Sequence, residues 1–438
     1  MFAVAAFAAL LASLGLLGAD ALWLVPLGGQ VAHGHLPHAI LLATAPSSGW
    51  SDVPALAQLT FWAAYHALAG DRGLLALQVV AAAVGFWALA RGLVREAAGG
   101  TVLAVSAVVL LGSVTAVFVI GVSLFSLALF PLLLLLLESE SRAPGRRIWL
   151  AVPIVAIWGN LHGAVLAGWG LLACYAVLDR ARREPWVAAG VLGAATAALF
   201  VNPAFTGTVD YYRGVFGNEA RRMGVGLWKP LELGGLDLVL IVAAVALLCL
   251  MVAAGRRAVR LWEAVAIAGL VVGTIGVARN GTWLLFVAAY PAARGLRLGT
   301  PSVRVLRIAT LVFAGAALAL VARSPADPGS HSLAARAARL GGAVLASPVL
   351  GQQVQLAGGR VWVDNPIDAF RRPDQRLYLL WVDGKPGGAA AIPHAGHVLV
   401  VRDSAAGRLA AHDARLTLVA STATAALYRV RPGAGSTG

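Results

Sequence analysis

The fold of this chain is decided first by residues 2–20, which read FAVAAFAALLASLGLLGAD. The run from Phe2 to Gly18 is apolar and uncharged, and it is long enough to cross a bilayer. It has no positively charged start of the kind that precedes a cleaved signal peptide, so it predicts a retained membrane helix. The run closes on Asp20. A carboxylate there is costly to desolvate, so we expect it to face water, a partner or a substrate.

Composition places the whole chain among polytopic membrane proteins. Of its 438 residues, 59% are hydrophobic and 12% are charged, whereas soluble domains are roughly 25% charged. The formal net charge of +14 would suggest nucleic acid in a soluble protein. Here the arginines cluster in short loops between apolar runs, as orientation in a membrane requires. We therefore expect membrane lipids and no nucleic acid as partners.

Apolar runs predict an all-α transmembrane bundle of about eleven helices within residues 1–322. The predicted spans are 3–19, 73–90, 101–118, 122–138, 148–158, 163–179, 186–201, 235–254, 261–278, 281–294 and 306–322. With a cytoplasmic N-terminus, the arginine clusters between these spans all fall on the cytoplasmic side. The chain is thus expected in the plasma membrane of a bacterium.

The same alternation places the remaining polar connections on the outer face. These connections are residues 21–72, 158–163, 202–234 and 279–280. Within the first of them, residues 55–70 predict an amphipathic helix that lies at the membrane interface.

Beyond Arg323 the chain becomes ordinary in polarity, after a turn-rich linker. Short apolar runs typical of strands begin at Val361, His397, Leu416 and Ala426. Helical stretches over 371–382 and 404–412 lie between or beside these runs. We therefore predict a small extracytoplasmic α/β domain over residues 323–438.

Asp20 and Asp52 are the first candidates for chemistry, because Asp20 closes the first apolar run and Asp52 lies in the outer connection that follows it. A carboxylate at the membrane surface can deprotonate an acceptor hydroxyl, or bind a divalent cation that neutralises a phosphate leaving group. The alternative is an acid that only fixes topology or pairs with an arginine. The spacing of His33, His35 and His38 does not match a helical metal pair, so we assign no metal ligands.

Asn160 and His162 form a second candidate, at a glycine-flanked turn between two spans. Glycines let another backbone or a ligand come close, so an amide and an imidazole here can orient a substrate. The alternative is that His162 has a structural role and is hydrogen-bonded only to a neighbouring carbonyl.

Cations on the outer face form the third group of candidates. Positive charge there opposes the orientation bias, so arginines can hold phosphate while aromatic rings stack on sugars. For the 202–234 connection, the alternative is that its arginines bind anionic lipid headgroups. For Arg279, the alternative is that its side chain extends to the membrane interface without binding a substrate. The cationic candidates are Arg213, Arg221, Arg222 and Arg279. The uncharged candidates beside them are Asn202, Trp228 and Asn280. Asp364, Asn365 and Asp368 are explained more simply by turn chemistry.

Several short motifs together resemble the GT-C superfamily of bacterial polytopic glycosyltransferases, and more narrowly a poorly characterised actinobacterial-type group within it. The motifs are Ala19-Asp20-Ala21-Leu22-Trp23, Trp158-Gly159-Asn160-Leu161-His162-Gly163, Asn202-Pro203, Trp228-Lys229-Pro230, Arg279-Asn280 and Arg360-Val361-Trp362-Val363-Asp364. The resemblance implies a lipid-phosphate-linked sugar donor and a catalytic acid at the end of the first span, which by position is Asp20. It also implies an envelope glycan, lipid or protein as acceptor.

The chain departs from this pattern where relatives often carry companion acids. Ala39-Ile40-Leu41 follows Pro37, Leu227 precedes Trp228, and Gln58 stands where a carboxylate is also common. A divalent cation, Mg²⁺ or Mn²⁺, therefore stays an open expectation. Two other functions also stay open, namely a catalytically degenerate scaffold in envelope assembly and a transporter or flippase of a lipid-linked intermediate. The clean apolar spans favour glycosyl transfer over transport.

Overall fold

The computed structural model describes residues 1–47, 49–255, 259–323, 325 and 327–431. Within these ranges the chain forms twenty α-helices and seven strands. The predicted helical fold with a strand-containing C-terminal region is therefore confirmed. Ser324 and Ala326, in the predicted linker, lie outside the described residues.

The helices account for most of the described chain. In chain order they are α1 (Phe2–Ala12), α2 (Leu24–Ala32), α3 (Ala55–Ala67), α4 (Asp71–Leu93), α5 (Gly99–Gly112), α6 (Val114–Phe118), α7 (Leu124–Arg142), α8 (Ala151–Gly159), α9 (Val165–Leu178), α10 (Pro185–Ala198), α11 (Thr208–Gly217), α12 (Glu219–Met223), α13 (Gly235–Ala254), α14 (Leu261–Gly276), α15 (Gly281–Gly295), α16 (Val303–Val321), α17 (Pro328–Leu340), α18 (Pro348–Leu356), α19 (Arg372–Val382) and α20 (Ala405–His412). The strands are β1 (Leu16–Leu17), β2 (Val119–Ile120), β3 (Ala343–Ala346), β4 (Arg360–Val361), β5 (His397–Val401), β6 (Leu416–Ser421) and β7 (Ala425–Val430).

The chain folds into two compact units. The first comprises Met1–Leu16, Leu68–Thr206 and Leu227–Arg323. The second comprises Leu17–Ala67, Gly207–Gly226 and Ser324–Gly438. Most of the connection that follows the first predicted span, residues 21–67, is thus clustered with the C-terminal segment and not with the predicted membrane spans.

A helix lies at each of the eleven predicted spans, and all of these helices belong to the first unit. The end of the first predicted span, residues 17–19, belongs to the second unit. Four of the described helices, α4, α7, α13 and α16, are long and apolar enough to cross a membrane. Because it contains these four helices, the chain is a membrane protein. Helices α13 and α16 leave most of their apolar surface exposed, as a lipid-facing surface does.

Helix α15 forms the centre of the first unit, because every residue from Gly281 to Ala293 is buried. Phe130 of α7 stacks on Trp283 of α15 with ring centroids 5.1 Å apart. Helices α4 and α7 cross closely at Gly85, where an added Cβ would lie 2.1 Å from the carbonyl oxygen of Leu127. Glycine is required at this crossing for lack of space.

A network of six charged side chains lies at the arginine-rich ends of the first unit. Its members are Glu96, Glu138, Glu263, Arg142, Arg260 and Arg294. The guanidinium of Arg294 contacts all three carboxylates, at 2.9 Å from Glu96 and Glu263 and 3.2 Å from Glu138. The side chains of Glu138 and Glu263 are 0% exposed. From the sequence these arginines are predicted only to orient the chain in the membrane, and the structure shows that they also neutralise buried carboxylates.

The second unit is built on a five-stranded mixed sheet with strand order β4-β3-β5-β7-β6. Strand β3 is parallel to β4 and β5, while β7 is antiparallel to β5 and β6. Its core packs Val344, Val361, Leu399 and Leu427 against α17 and α18. The predicted strands and both predicted helices are present, whereas β3, α17 and α18 were not predicted.

Residues of the first outer connection extend this sheet at its β4 edge. The amide of Thr44 donates to the Val361 carbonyl at 2.8 Å, the Val361 amide donates to the Leu42 carbonyl at 2.8 Å, and Ala43 bridges Val361 in parallel. Helices α2 and α3 then cross at Gly28, where a Cβ would lie 2.1 Å from the Gln58 carbonyl oxygen. The predicted 55–70 helix is thus observed as α3, and its place at the membrane interface stays a prediction.

We predict that Glu263→Gln lowers the melting temperature of the purified protein. The change leaves Arg260 and Arg294 with less neutralising charge in a buried site, and breaking a buried pair costs about 3–5 kcal/mol. Thermal unfolding in detergent measures the effect. The control is Lys385→Ala, which removes a half-exposed pair with Asp383 and is expected to cost about 0–1 kcal/mol. Equal melting temperatures for Glu263→Gln and the control would show that the network is not stabilising.

Candidate functional site

Asp20 lies in a turn that the C-terminal segment holds in place. The Gln352 side chain accepts hydrogen bonds from the amides of Leu22 (2.8 Å) and Trp23 (3.3 Å) and donates to the carbonyl of Ala19. The Asn365 amide group donates to the same carbonyl. The chain is therefore fixed on both sides of Asp20.

The carboxylate of Asp20 is oriented by an indole. Trp23 Nε1 donates to Asp20 Oδ1 at 2.7 Å, and the Trp23 ring is buried. Asp20 itself is half-buried, so part of the carboxylate stays accessible. The buried indole therefore fixes the orientation of the carboxyl group.

A second aspartate–tryptophan pair lies beside the first. Trp50 Nε1 donates to Asp368 Oδ2 at 3.3 Å. The rings of Trp23 and Trp50 meet edge to face with centroids 6.3 Å apart, within the range of a favourable aromatic pair. Two carboxylates are thus held by two indoles that contact each other.

Tyr211 of α11 lies near the same acids. Burial raises the pKa of its phenol well above the ordinary value, and the charges of Asp368, Tyr212, Asp20 and Asp52 raise it further. Electrostatic effects of this kind fall off with distance. The three aspartates therefore share one neighbourhood with Tyr211, which we call the aspartate cluster (Asp20, Asp52 and Asp368).

Asp52 is the most deeply buried member of the cluster, at 5% exposure. Gln58 Nε2 donates to its Oδ1 at 2.7 Å, while its Oδ2 has no hydrogen-bond partner within the described residues. Burial raises the pKa of Asp52 to about 7, although the Gln58 hydrogen bond works in the opposite direction. Burial also raises the pKa of Asp368, against the hydrogen bonds of its own backbone and of Trp50. The cluster can therefore hold a proton near neutral pH.

His162 lies in the first unit, within a small polar group of its own. Ser126 Oγ lies 2.6 Å from His162 Nδ1 and accepts a hydrogen bond from Trp158 Nε1 at 2.7 Å. The charge of Arg279 acts on the His162 imidazole, and the Arg279 guanidinium lies over the Trp228 ring at 4.6 Å. The structure therefore groups three of the predicted site residues (His162, Arg279 and Trp228) within one unit.

The predicted asparagines of the first unit hold backbone groups. Asn160 Nδ2 donates to the carbonyls of Ala156 and Val201, and Asn280 Nδ2 donates to that of Gly273 at 3.0 Å. Asn202 bonds the Leu199 carbonyl and the Ala204 amide, each at 2.9 Å. These contacts shape the turns, and a role for the asparagines in substrate binding stays a prediction.

The three arginines of the 207–226 segment belong to the second unit. Arg213 pairs with Asp210 at 2.9 Å in an exposed position. Arg221 donates to the Phe216 carbonyl and lies over the Phe216 ring, and Arg222 pairs with Glu219 at 3.3 Å. Binding of phosphate by these guanidiniums stays a prediction.

Sequence reasoning missed the contribution of the C-terminal segment to the site. Asn365 and Asp368 were assigned to turn chemistry, yet Asn365 bonds the residue before Asp20 and Asp368 joins the aspartate cluster. Trp50 and Asp368 are 318 positions apart in the chain. No local pattern signals a contact over that separation, so the pair could be found only from the fold.

The requirement for a divalent cation stays a prediction. Across the parts of the chain that the structure describes, no three His, Cys, Asp or Glu side chains are arranged to hold a metal ion. Mg²⁺ is often bound by one or two carboxylates together with substrate phosphates, so the Mg²⁺ or Mn²⁺ left open by the resemblance would need a ligand from the donor.

Comparison with solved structures bears on the fold. Two cryo-EM structures of a mutant of the arabinofuranosyltransferase AftD from Mycobacteria align with 98% of this chain, at TM-scores of 0.53 and 0.50 and 16% sequence identity. The chain has a GT-C-like fold. It spans only 41% of the length of each of those chains. No known protein family and no curated protein sequence matches it. The predicted resemblance to GT-C proteins is therefore confirmed, and at this identity it concerns the fold.

We predict that Asp52→Asn flattens the dependence of stability on pH between about 4 and 7. The folded-state pKa of about 7 lies above the ordinary value of 3.8, so the folded state holds a proton that the unfolded state has lost. The stabilisation from this proton is complete below pH 4 and is lost as pH rises through 7. Asparagine keeps the acceptor for Gln58 and carries no charge.

Melting temperatures of wild type and Asp52→Asn, recorded from pH 4 to pH 8, check this prediction. The variant is expected to gain several degrees relative to wild type at pH 8 and nothing at pH 4. Parallel curves over the whole range would contradict it.

Proposed function

We propose that this chain is a membrane glycosyltransferase that moves a sugar from a polyprenyl-phosphate donor to an acceptor hydroxyl on the extracytoplasmic face. The observation that supports it best is the aspartate cluster, in which Asp20 is half-buried, hydrogen-bonded to Trp23 and fixed by Gln352 and Asn365. A positioned, partly accessible carboxylate is what a general base requires. The GT-C-like fold supports the class of reaction.

In the proposed reaction, Asp20 takes the proton of the acceptor hydroxyl. The acceptor oxygen then attacks the anomeric carbon, and the bond between that carbon and the phosphate oxygen breaks. The electron pair of the broken bond leaves with the polyprenyl phosphate, and Asp20 ends protonated. Attack from the face opposite the phosphate gives inversion at the anomeric carbon, as the family resemblance implies.

The other predicted site residues have supporting roles in this proposal. Arg213, Arg221, Arg222 and Arg279 offer guanidiniums that match phosphate oxygens, and Trp228 offers a ring. Asn160, His162, Asn202 and Asn280 keep the orienting roles predicted from the sequence. An arabinofuranosyl group is the first donor sugar to test, since the solved structures similar to this chain are those of an arabinofuranosyltransferase.

Asp20→Asn is expected to abolish glycosyl transfer while leaving the protein folded. Losing a general base slows a reaction about 10²- to 10⁴-fold, and asparagine can still accept the Trp23 hydrogen bond. The measurement is mass spectrometry of envelope glycans from cells that carry wild type, the variant or a deletion, at matched protein levels. The expected result is a glycan profile like that of the deletion.

The matched control is Asp403→Asn, which removes an exposed aspartate of the same unit. It should restore the wild-type glycan profile. If Asp20→Asn also restores that profile where the deletion shows a defect, the enzymatic function is wrong. A scaffold in envelope assembly or a transporter would tolerate the substitution, so that result would favour one of them.

A further inference from the structure

A cleft opens within the second unit between α2, the chain around Leu41 and the C-terminal segment. It is a cavity of about 110 Å³ that is partly open to solvent. This volume is below the roughly 300–1,000 Å³ usual for drug-sized ligands, so the cleft suits one small unit and not a large ligand. Its polar lining consists of Gln30, Gln355 and Asn365, and its aromatic lining is Trp23.

The cleft adjoins Asp20 through two of its lining residues. Trp23 lines the cleft and also donates to the Asp20 carboxylate. Asn365 lines the cleft and also donates to the carbonyl of Ala19, the residue before Asp20. A molecule in the cleft therefore contacts two residues that hold Asp20 in place, while Asp20 itself does not line the cleft.

The side chain of Gln355 offers its carboxamide to the cleft. The residue is 4% exposed and lines the cleft, and its carboxamide makes no hydrogen bond with the residues that the structure describes. Its polar atoms are not among the described atoms that are shut off from solvent without a partner, so water in the cleft can reach them. A ligand that carries hydroxyl groups can replace that water and keep the hydrogen bonds.

The cleft is uncharged. The residues described as lining it include carboxamides, an indole and aliphatic side chains, and none is ionised. A phosphate would lose its hydration there without gaining a cation, which is unfavourable. A carboxamide offers both a donor and an acceptor, as sugar hydroxyls require, and the Trp23 indole and Leu27 offer apolar surface to the C–H face of a sugar ring.

We propose that this cleft binds a neutral saccharide unit of the acceptor, next to the residues that hold Asp20 in place. The proposal rests on the proposed glycosyltransferase function for the identity of the ligand as acceptor. The carboxamides of Gln30 and Gln355 hold the sugar hydroxyls, and Trp23 supports the ring. Trp23 thereby contacts both the acceptor sugar and the general base.

The test measures binding of neutral methyl glycosides to the full chain in detergent by saturation-transfer difference NMR. The probes are the methyl glycosides of arabinofuranose, mannose, galactose and glucose, with farnesol as an apolar-chain probe. At least one glycoside should bind. Gln355→Leu keeps the size of the side chain and removes the carboxamide, so it should weaken that binding about 3- to 10-fold, as the loss of one neutral hydrogen bond predicts.

Gln353→Leu is the matched control. Gln353 belongs to the same helix, is equally buried at 4% exposure and does not line the cleft. It should leave glycoside binding unchanged. Gln30→Leu, at a half-buried position, provides a second test if Gln355→Leu does not fold, and it should weaken binding to a similar degree.

Binding of no glycoside, or equal binding by wild type and both cleft variants, overturns the proposal. Farnesol binding that strengthens in Gln355→Leu, with no glycoside bound, would show that an apolar chain occupies the cleft instead. Asp20→Asn separates this proposal from the proposed function, because it should keep glycoside binding and lose glycosyl transfer in cells. If Asp20→Asn retains transfer, only the proposed glycosyltransferase function is refuted. If the cleft variants bind glycosides as wild type does, only the proposed saccharide site is refuted.

Discussion

The buried carboxamide of Gln352 is the interaction on which the candidate site depends. It bonds the amides of Leu22 and Trp23 and the carbonyl of Ala19, and it is 0% exposed. The amides of Leu22 and Trp23, two buried residues, would otherwise lack partners, at a cost for each. One side chain more than 300 positions away therefore decides the conformation of the chain at Asp20.

Further contacts attach residues 42–50 to the C-terminal segment. Residues 42–45 pair with β4 and the residue that follows it, and Trp50 bonds Asp368. Backbone pairing fixes register, whereas the indole hydrogen bond fixes one side chain. The loop that carries Asp20, Trp23 and Trp50 is thus part of the β-sheet unit. A loop held in this way can present catalytic groups with little rearrangement.

The second unit keeps several polar groups in unfavourable surroundings. Asp52 is buried with one oxygen unpartnered among the described residues, the pKa of Asp368 is raised by burial, and Gln355 lines a cleft. Groups of this kind lower stability and cluster at functional sites. In the first unit, Arg294 pairs with three carboxylates at once, although Glu138 Oε1 has no hydrogen-bond partner among the described residues.

The sequence by itself determined the helices at the eleven apolar runs and most of the strands. Eleven apolar runs became helices because burying a continuous apolar segment depends on local composition, and β5, β6 and β7 formed where short apolar runs lie between turns. The four-residue β3 and the helix α2 escaped notice because their patterns are too short or too glycine-rich to stand out. Asp20 could be singled out from its place at the end of an apolar run.

The tertiary structure alone decided what surrounds Asp20. Gln352, Asn365 and Asp368 look like ordinary polar residues of a separate C-terminal segment, and Glu138 and Glu263 look like helix-end acids. Their roles arise from hydrogen bonds and ion pairs between residues far apart in the chain, and hydrophobic periodicity carries no information about such pairs. Local patterns report which residues leave water, whereas the fold decides which polar groups meet there.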